Sequence, residues 1–179
     1  ILYETVKDPE ILNPADVIVK VTRTALCGSD LHVYHGKESG LDEGTVMGHE
    51  FYGEIVETGK SVKNFKKGNR VVSPFTTNCG KCHFCDIGLT ARCVEGQLFG
   101  WMEGGEGLQG AQAEYIRVPY AESTLVELPE SVDPRHSLLA GDVLSTGYFC
   151  AENAEIRPGG LYVVIGCGPV GLLTIMSAF

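Results

Sequence analysis

Basic residues are scarce in this sequence: 14 Lys and Arg stand against 23 Asp and Glu, giving a formal charge of −9 and a pI near 5.0. A nucleic-acid backbone or an anionic bilayer is bound by clustered cationic side chains, so this balance argues against both as partners. Long apolar runs are missing too. None approaches the roughly 20 residues that a bilayer span requires, and no charged-then-apolar segment of the signal-peptide kind opens the chain. Internal repeats and low-complexity tracts are likewise absent, which excludes solenoid and linker architectures. What remains is an ordinary globular composition, 44% apolar over 179 residues, sufficient for one or two packed domains. The chain opens at Ile1 without a methionine and closes at Phe179 inside an apolar helical pattern, so the expectation is part of a longer protein.

The first 130 residues read as short strands. Asp16–Val21 is rich in β-branched residues, and further strands are expected at Glu54–Thr58, Arg70–Ser73, Gln112–Val118 and Thr124–Leu128. Turn signals at Lys67-Gly68-Asn69, Gly104-Gly105 and Pro119 separate them, which suggests a small barrel or paired sheets. The pattern then changes. Asp133-Pro134 sets an acidic cap before a proline at the first helical position, and Leu138, Leu139, Val143 and Leu144 follow at helical spacing. Beyond the turn at Arg157–Gly160, Leu161–Ile165 reads as a buried strand, and Leu172–Phe179 begins a helix.

Four cysteines, Cys79, Cys82, Cys85 and Cys93, stand in the spacing C-x2-C-x2-C-x7-C. Four thiolates satisfy the tetrahedral preference of zinc and leave no position for water or substrate. The segment around them is too polar to order through a core of its own, so the metal would supply that free energy. Disulfide pairing is the alternative and needs an oxidising compartment, of which the sequence carries no sign. His83 reads as an exposed loop residue, and Cys150 and Cys167 as reduced thiols in a cytoplasmic protein.

Cys27, His49 and Asp142 offer a thiolate, an imidazole and a carboxylate from distant segments, a set that suits a zinc with an exchangeable fourth position. Taken singly each also has an ordinary role: a core thiol, a structural histidine, a helix-capping acid. Gly166-x-Gly168-x-x-Gly171 follows an expected strand and opens an expected helix, the context a dinucleotide-binding loop requires. A glycine turn in an unrelated α/β unit is the competing reading.

Together, Cys27-Gly28-Ser29-Asp30, the run Gly48-His49-Glu50-x-x-Gly53-x5-Gly59-x-x-Val62, the four-cysteine lobe and Gly166-x-Gly168-Pro169-Val170-Gly171 resemble the zinc-dependent medium-chain alcohol dehydrogenase superfamily. The segments Gln112–Ala121 and Gly141–Gly147 are similar to its formaldehyde-dehydrogenase-like and threonine/polyol branch. The resemblance implies a mostly β GroES-like barrel followed by the start of a truncated α/β Rossmann domain. The boundaries would be 1–135 for the catalytic domain, with a zinc lobe at 75–100, and 136–179 for a linking helix and first β-α unit.

Roles follow from the same resemblance. Two Zn2+ per chain are implied, one structural in the four-cysteine lobe and one catalytic on Cys27, His49 and Asp142. Asp30 would orient His49, Glu50 would stand beside the metal as a transient ligand or water partner, and Ser29 and His32 would form a proton relay. Thr146, with Gly166, Gly168, Pro169, Val170 and Gly171, would contact NAD or NADP. Asp142 stands where better-known members have cysteine, and Gly28 where some have a basic residue; both move the expectation away from ordinary ethanol oxidation. The implied activity is oxidation of a small-molecule alcohol, polyol or hydrated aldehyde by hydride transfer, in a homo-oligomer when full length. The rivals are a non-catalytic, zinc-stabilised GroES-like module and a zinc-free quinone reductase relative.

Overall fold

The computed structural model describes all residues, 1–179. Its centre is a five-stranded antiparallel sheet in the order β6-β1-β2-β3-β7. The strands are β1 (Val17–Thr24), β2 (Phe51–Thr58), β3 (Arg70–Val72), β6 (Tyr115–Val118) and β7 (Val126–Glu127). Alternation decides which face is buried. Val17 and Val19 of β1, Ile55 of β2 and Ile116 and Val118 of β6 point into one core with Phe51 and Phe99, whose rings meet edge to face at 5.3 Å. A hairpin of β4 (Trp101–Glu103) and β5 (Glu106–Leu108) closes over that core through Leu108.

Short helices fill the connections: α1 (Gly28–Tyr34), α2 (His83–Asp86) and α3 (Ala121–Thr124). Three more follow the sheet, α4 (Pro134–Ala140), α5 (Val143–Asn153) and α6 (Pro169–Ser177). Asp133 caps α4 as its sequence suggests, accepting from the Arg135 N–H at 2.8 Å, with Pro134 at the first position. Helix α6 lies on α5 at Gly147, where a Cβ would come within 2.8 Å of the Thr174 nitrogen.

Three expectations need correction. The strands form an open sheet plus a separate hairpin, not a closed barrel. The helical pattern through Leu138 to Leu144 is two helices, broken at Asp142, whose backbone leaves the helical region (φ −141°, ψ −74°) where Gly141 packs against the Ser73 carbonyl, 2.4 Å from an ideal Cβ. Leu161–Ile165 pairs with no strand and is exposed, Leu161 to 94% and Ile165 to 97%. A strand exists only with a partner, and none of the seven strands reaches this segment. The helix after the glycine loop does form, so the expected β-α unit is present in its second half alone.

Candidate metal centres

Pairing geometry assembles the mixed cluster. Thr24, the last residue of β1, pairs with Phe51, the first of β2, so Cys27 just beyond β1 and His49-Glu50 just before β2 arrive at the same sheet end. The Glu50 carbonyl ties the two, accepting from the Thr24 hydroxyl at 2.9 Å and the Ala25 N–H at 3.3 Å. Tyr52 pairs with Val72, so β3 exits at this end as well, and Gly141 packed on Ser73 delivers Asp142. One ligand-type atom from each of Cys27, His49, Glu50 and Asp142 lies within 4.8 Å of the others.

The His49 ring is held at both nitrogens, Nδ1 3.4 Å from Asp30 Oδ1 and Nε2 3.4 Å from Asp142 Oδ2. The second Asp30 oxygen accepts the Cys27 N–H at 2.9 Å. Asp142 first, then Asp30, draw a proton onto the imidazole and push its pKa up to about 11. Burial raises the Glu50 carboxyl, with the charge of Asp142 adding to it, while the neighbouring His49 lowers Asp142. Carboxylates gathered around one soft sulfur and one imidazole form a field that a divalent cation would neutralise, and the donors are those zinc accepts. The residues therefore fit the metal.

The four-cysteine lobe fits as well. Cys82 Sγ lies 3.6 Å from Cys85 Sγ and 3.9 Å from Cys93 Sγ. Zinc–sulfur bonds of about 2.3 Å in a tetrahedron put neighbouring sulfurs about 3.8 Å apart. Backbone donors favour thiolate here: Cys93 Sγ accepts the Cys79 N–H at 3.2 Å, and backbone hydrogen bonds at Cys85 and Val94 pull the Cys82 thiol down to about 6. Desolvation and the adjacent Cys82 push Cys85 up to about 11. The lobe hangs on α3, with the Asn78 N–H donating to Thr124 Oγ1 at 3.1 Å and Asn78 Nδ2 to the Ser123 carbonyl at 2.9 Å. His83 is exposed and outside the cluster, and all seven cysteines are free thiols.

The remaining residues are more dispersed. Ser29 and His32 are exposed on α1, three positions apart, and His32 Nδ1 faces Glu38 Oε1 at 3.5 Å. Thr146, one turn into α5, donates its hydroxyl to Asp142 Oδ1 at 3.2 Å. In the glycine loop Gly166 has φ +105°, Gly168 caps α6 ahead of Pro169 and Val170, and a Cβ on Gly171 would sit 2.1 Å from the Gly166 carbonyl. That third glycine is what lets the helix start fold back on its loop. Sequence reasoning missed two residues beside the cluster: Phe75, edge-on to the His49 ring at 6.4 Å, and Gln112, whose amide reaches Asp30. Neither residue type signals metal chemistry, and only the folded sheet brings them near.

A protein-family model described as the alcohol dehydrogenase GroES-like domain matches residues 13–130. The chain belongs to that family. Other members of the alcohol dehydrogenase GroES-like family agree. The chain is 47% identical to zinc-type alcohol dehydrogenase B of Aspergillus flavus over 176 residues, 95% of this chain and 40% of that protein. It is 46% identical to the medium chain reductase/dehydrogenase ucsI of Acremonium, over 95% of this chain and 59% of that one. Among solved structures, alcohol dehydrogenase TADH from Thermus sp. ATN1 superposes with a TM-score of 0.92 at 40% identity, covering 98% of this chain and 50% of its own. The chain thus spans about half the length of the relatives it matches.

Proposed function

We propose that this chain carries the metal centres of a zinc-dependent NAD(P) oxidoreductase that oxidises an alcohol, polyol or hydrated aldehyde. The observation that carries the reading is the Cys27–His49–Glu50–Asp142 cluster, four donors of three chemical kinds within 4.8 Å of one another. When bound, zinc supplies a Lewis acid for the substrate oxygen and the nicotinamide supplies the hydride acceptor. Cys27, His49 and Asp142 hold the metal, and Asp30 fixes the imidazole through Nδ1. Glu50, raised chiefly by its burial, holds a proton more readily than an ordinary carboxylate and serves as an internal donor or acceptor. Ser29 and His32 share one face of α1, so a hydroxyl next to Cys27 and an imidazole open to water form the two ends of a relay.

The four-cysteine lobe takes a second, structural zinc. The loop Gly166–Gly171 with Thr146 contacts the dinucleotide, whose pyrophosphate suits the N-terminus of α6. No helix is long and apolar enough to cross a membrane. Cys150 and Cys167, exposed and unpaired, suit a reducing compartment, and our reading is of a cytoplasmic protein working on small molecules as part of a homo-oligomer.

Metal analysis tests this reading. Two zincs per chain are expected, and Cys27→Ser or His49→Ala should remove one of them and abolish NAD(P) reduction by the full-length enzyme. A single zinc in wild type, retained by the four cysteines, would favour a non-catalytic zinc-stabilised module instead.

A further inference from the structure

We propose that Gln112 is a positioning residue for the mixed centre, acting through Asp30 on both Cys27 and His49. The inference rests on the metal-site reading above. Asp30 is 7% exposed and each of its oxygens is committed: Oδ1 faces His49 Nδ1 at 3.4 Å, and Oδ2 accepts the Cys27 N–H at 2.9 Å. The third partner comes from 82 residues away, where Gln112 Nε2 donates to Oδ2 at 3.5 Å. The same residue also packs on the chain just before the histidine. Its backbone N–H donates to the Met47 carbonyl at 2.8 Å, and its Cγ would lie 2.6 Å from a Cβ on Gly48, so its side chain lies flat against the residue before His49. Gly48 has φ +96°, a conformation open to glycine, and this permits the close approach.

The amide is the right chemistry for the task. A buried carboxylate with free lone pairs needs donors. A lysine or arginine in this place would meet the need but oppose the cation that the ligands attract. A glutamate would set a second acceptor against the first. A neutral donor fixes Asp30 and leaves the charge of the centre unchanged.

Cobalt(II) is the probe, added to the chain as a spectroscopic substitute for zinc. Gln112→Met keeps the length and the apolar contact with Gly48 but removes the donor, whereas Gln112→Glu keeps the shape and reverses the polarity. Both variants should bind cobalt at the mixed site about tenfold more weakly, the usual scale for loss of an outer partner. The visible bands of that site should shift, while the sulfur-to-cobalt absorption of the four-cysteine lobe stays as in wild type and reports that the fold is intact. Wild-type affinity and bands at the mixed site in both variants overturn the proposal. If wild type itself takes cobalt only in the four-cysteine lobe, the metal-site reading fails and this inference falls with it.

Discussion

Gly141 closes α4 just before the chain leaves the helix at Asp142, and its missing side chain lets this stretch lie against Ser73. A methyl group there would have to occupy the space 2.4 Å from the Ser73 carbonyl, which is backbone and has little room to give. Gly141→Ala should therefore push Asp142 outward, with loss of metal from the mixed site and retention in the four-cysteine lobe, readable by metal analysis. Asp133 makes a different kind of prediction. The Arg135 side chain and N–H hold its carboxyl well below the usual carboxylate range. Because the folded-state pKa is lowered, its contribution to the cap is complete above the unfolded value of about 3.9 and is lost as pH falls through the folded one. The Arg135 amide resonance should thus stay constant down to about pH 4 and move only in stronger acid, a dependence that Asp133→Asn removes.

At the scale of elements, the antiparallel pairing of β1 with β2 does most to build the site, since it alone brings residue 27 and residues 49–50 together. Ile55 lies in this pair opposite Val19 and is fully buried. Ile55→Ala should cost about 2–5 kcal/mol in urea unfolding, with the four-cysteine lobe still able to take metal. The same elements show what was readable in advance. The β-branched run at residues 16–21 and the Asp133-Pro134 cap carry their own local signals, and both form near where they were expected. Helix α1 and the hairpin β4–β5 carried too little: seven mixed residues, and two strands of three. Leu161–Ile165 has the composition of a strand, yet composition cannot supply a neighbour. The cysteine spacing announced its cluster in one dimension, whereas Asp142 joins its cluster only once the folded sheet sets Ser73 against Gly141.

In the molecule as a whole, the four-cysteine lobe stands outside the apolar core that unites the sheet. The lobe contributes nothing to the apolar core, which runs from Val17 to Leu125 without a residue between Val71 and Phe99. With the lobe holding the zinc we propose for it, a chelator should raise amide exchange across residues 79–96 while β1, β2 and β6 stay protected. Loss of protection throughout the sheet would show that the lobe supports the core as well. Helix α5 joins the two remaining parts. Its first turn caps on Asp142, and its flank carries α6 with the glycine loop, through the notch at Gly147. Its eleven residues make a rod about 16 Å long. Asp142 stands at its start and Gly147 carries α6 on its flank, so the mixed cluster and the loop before α6 hang from one and the same support.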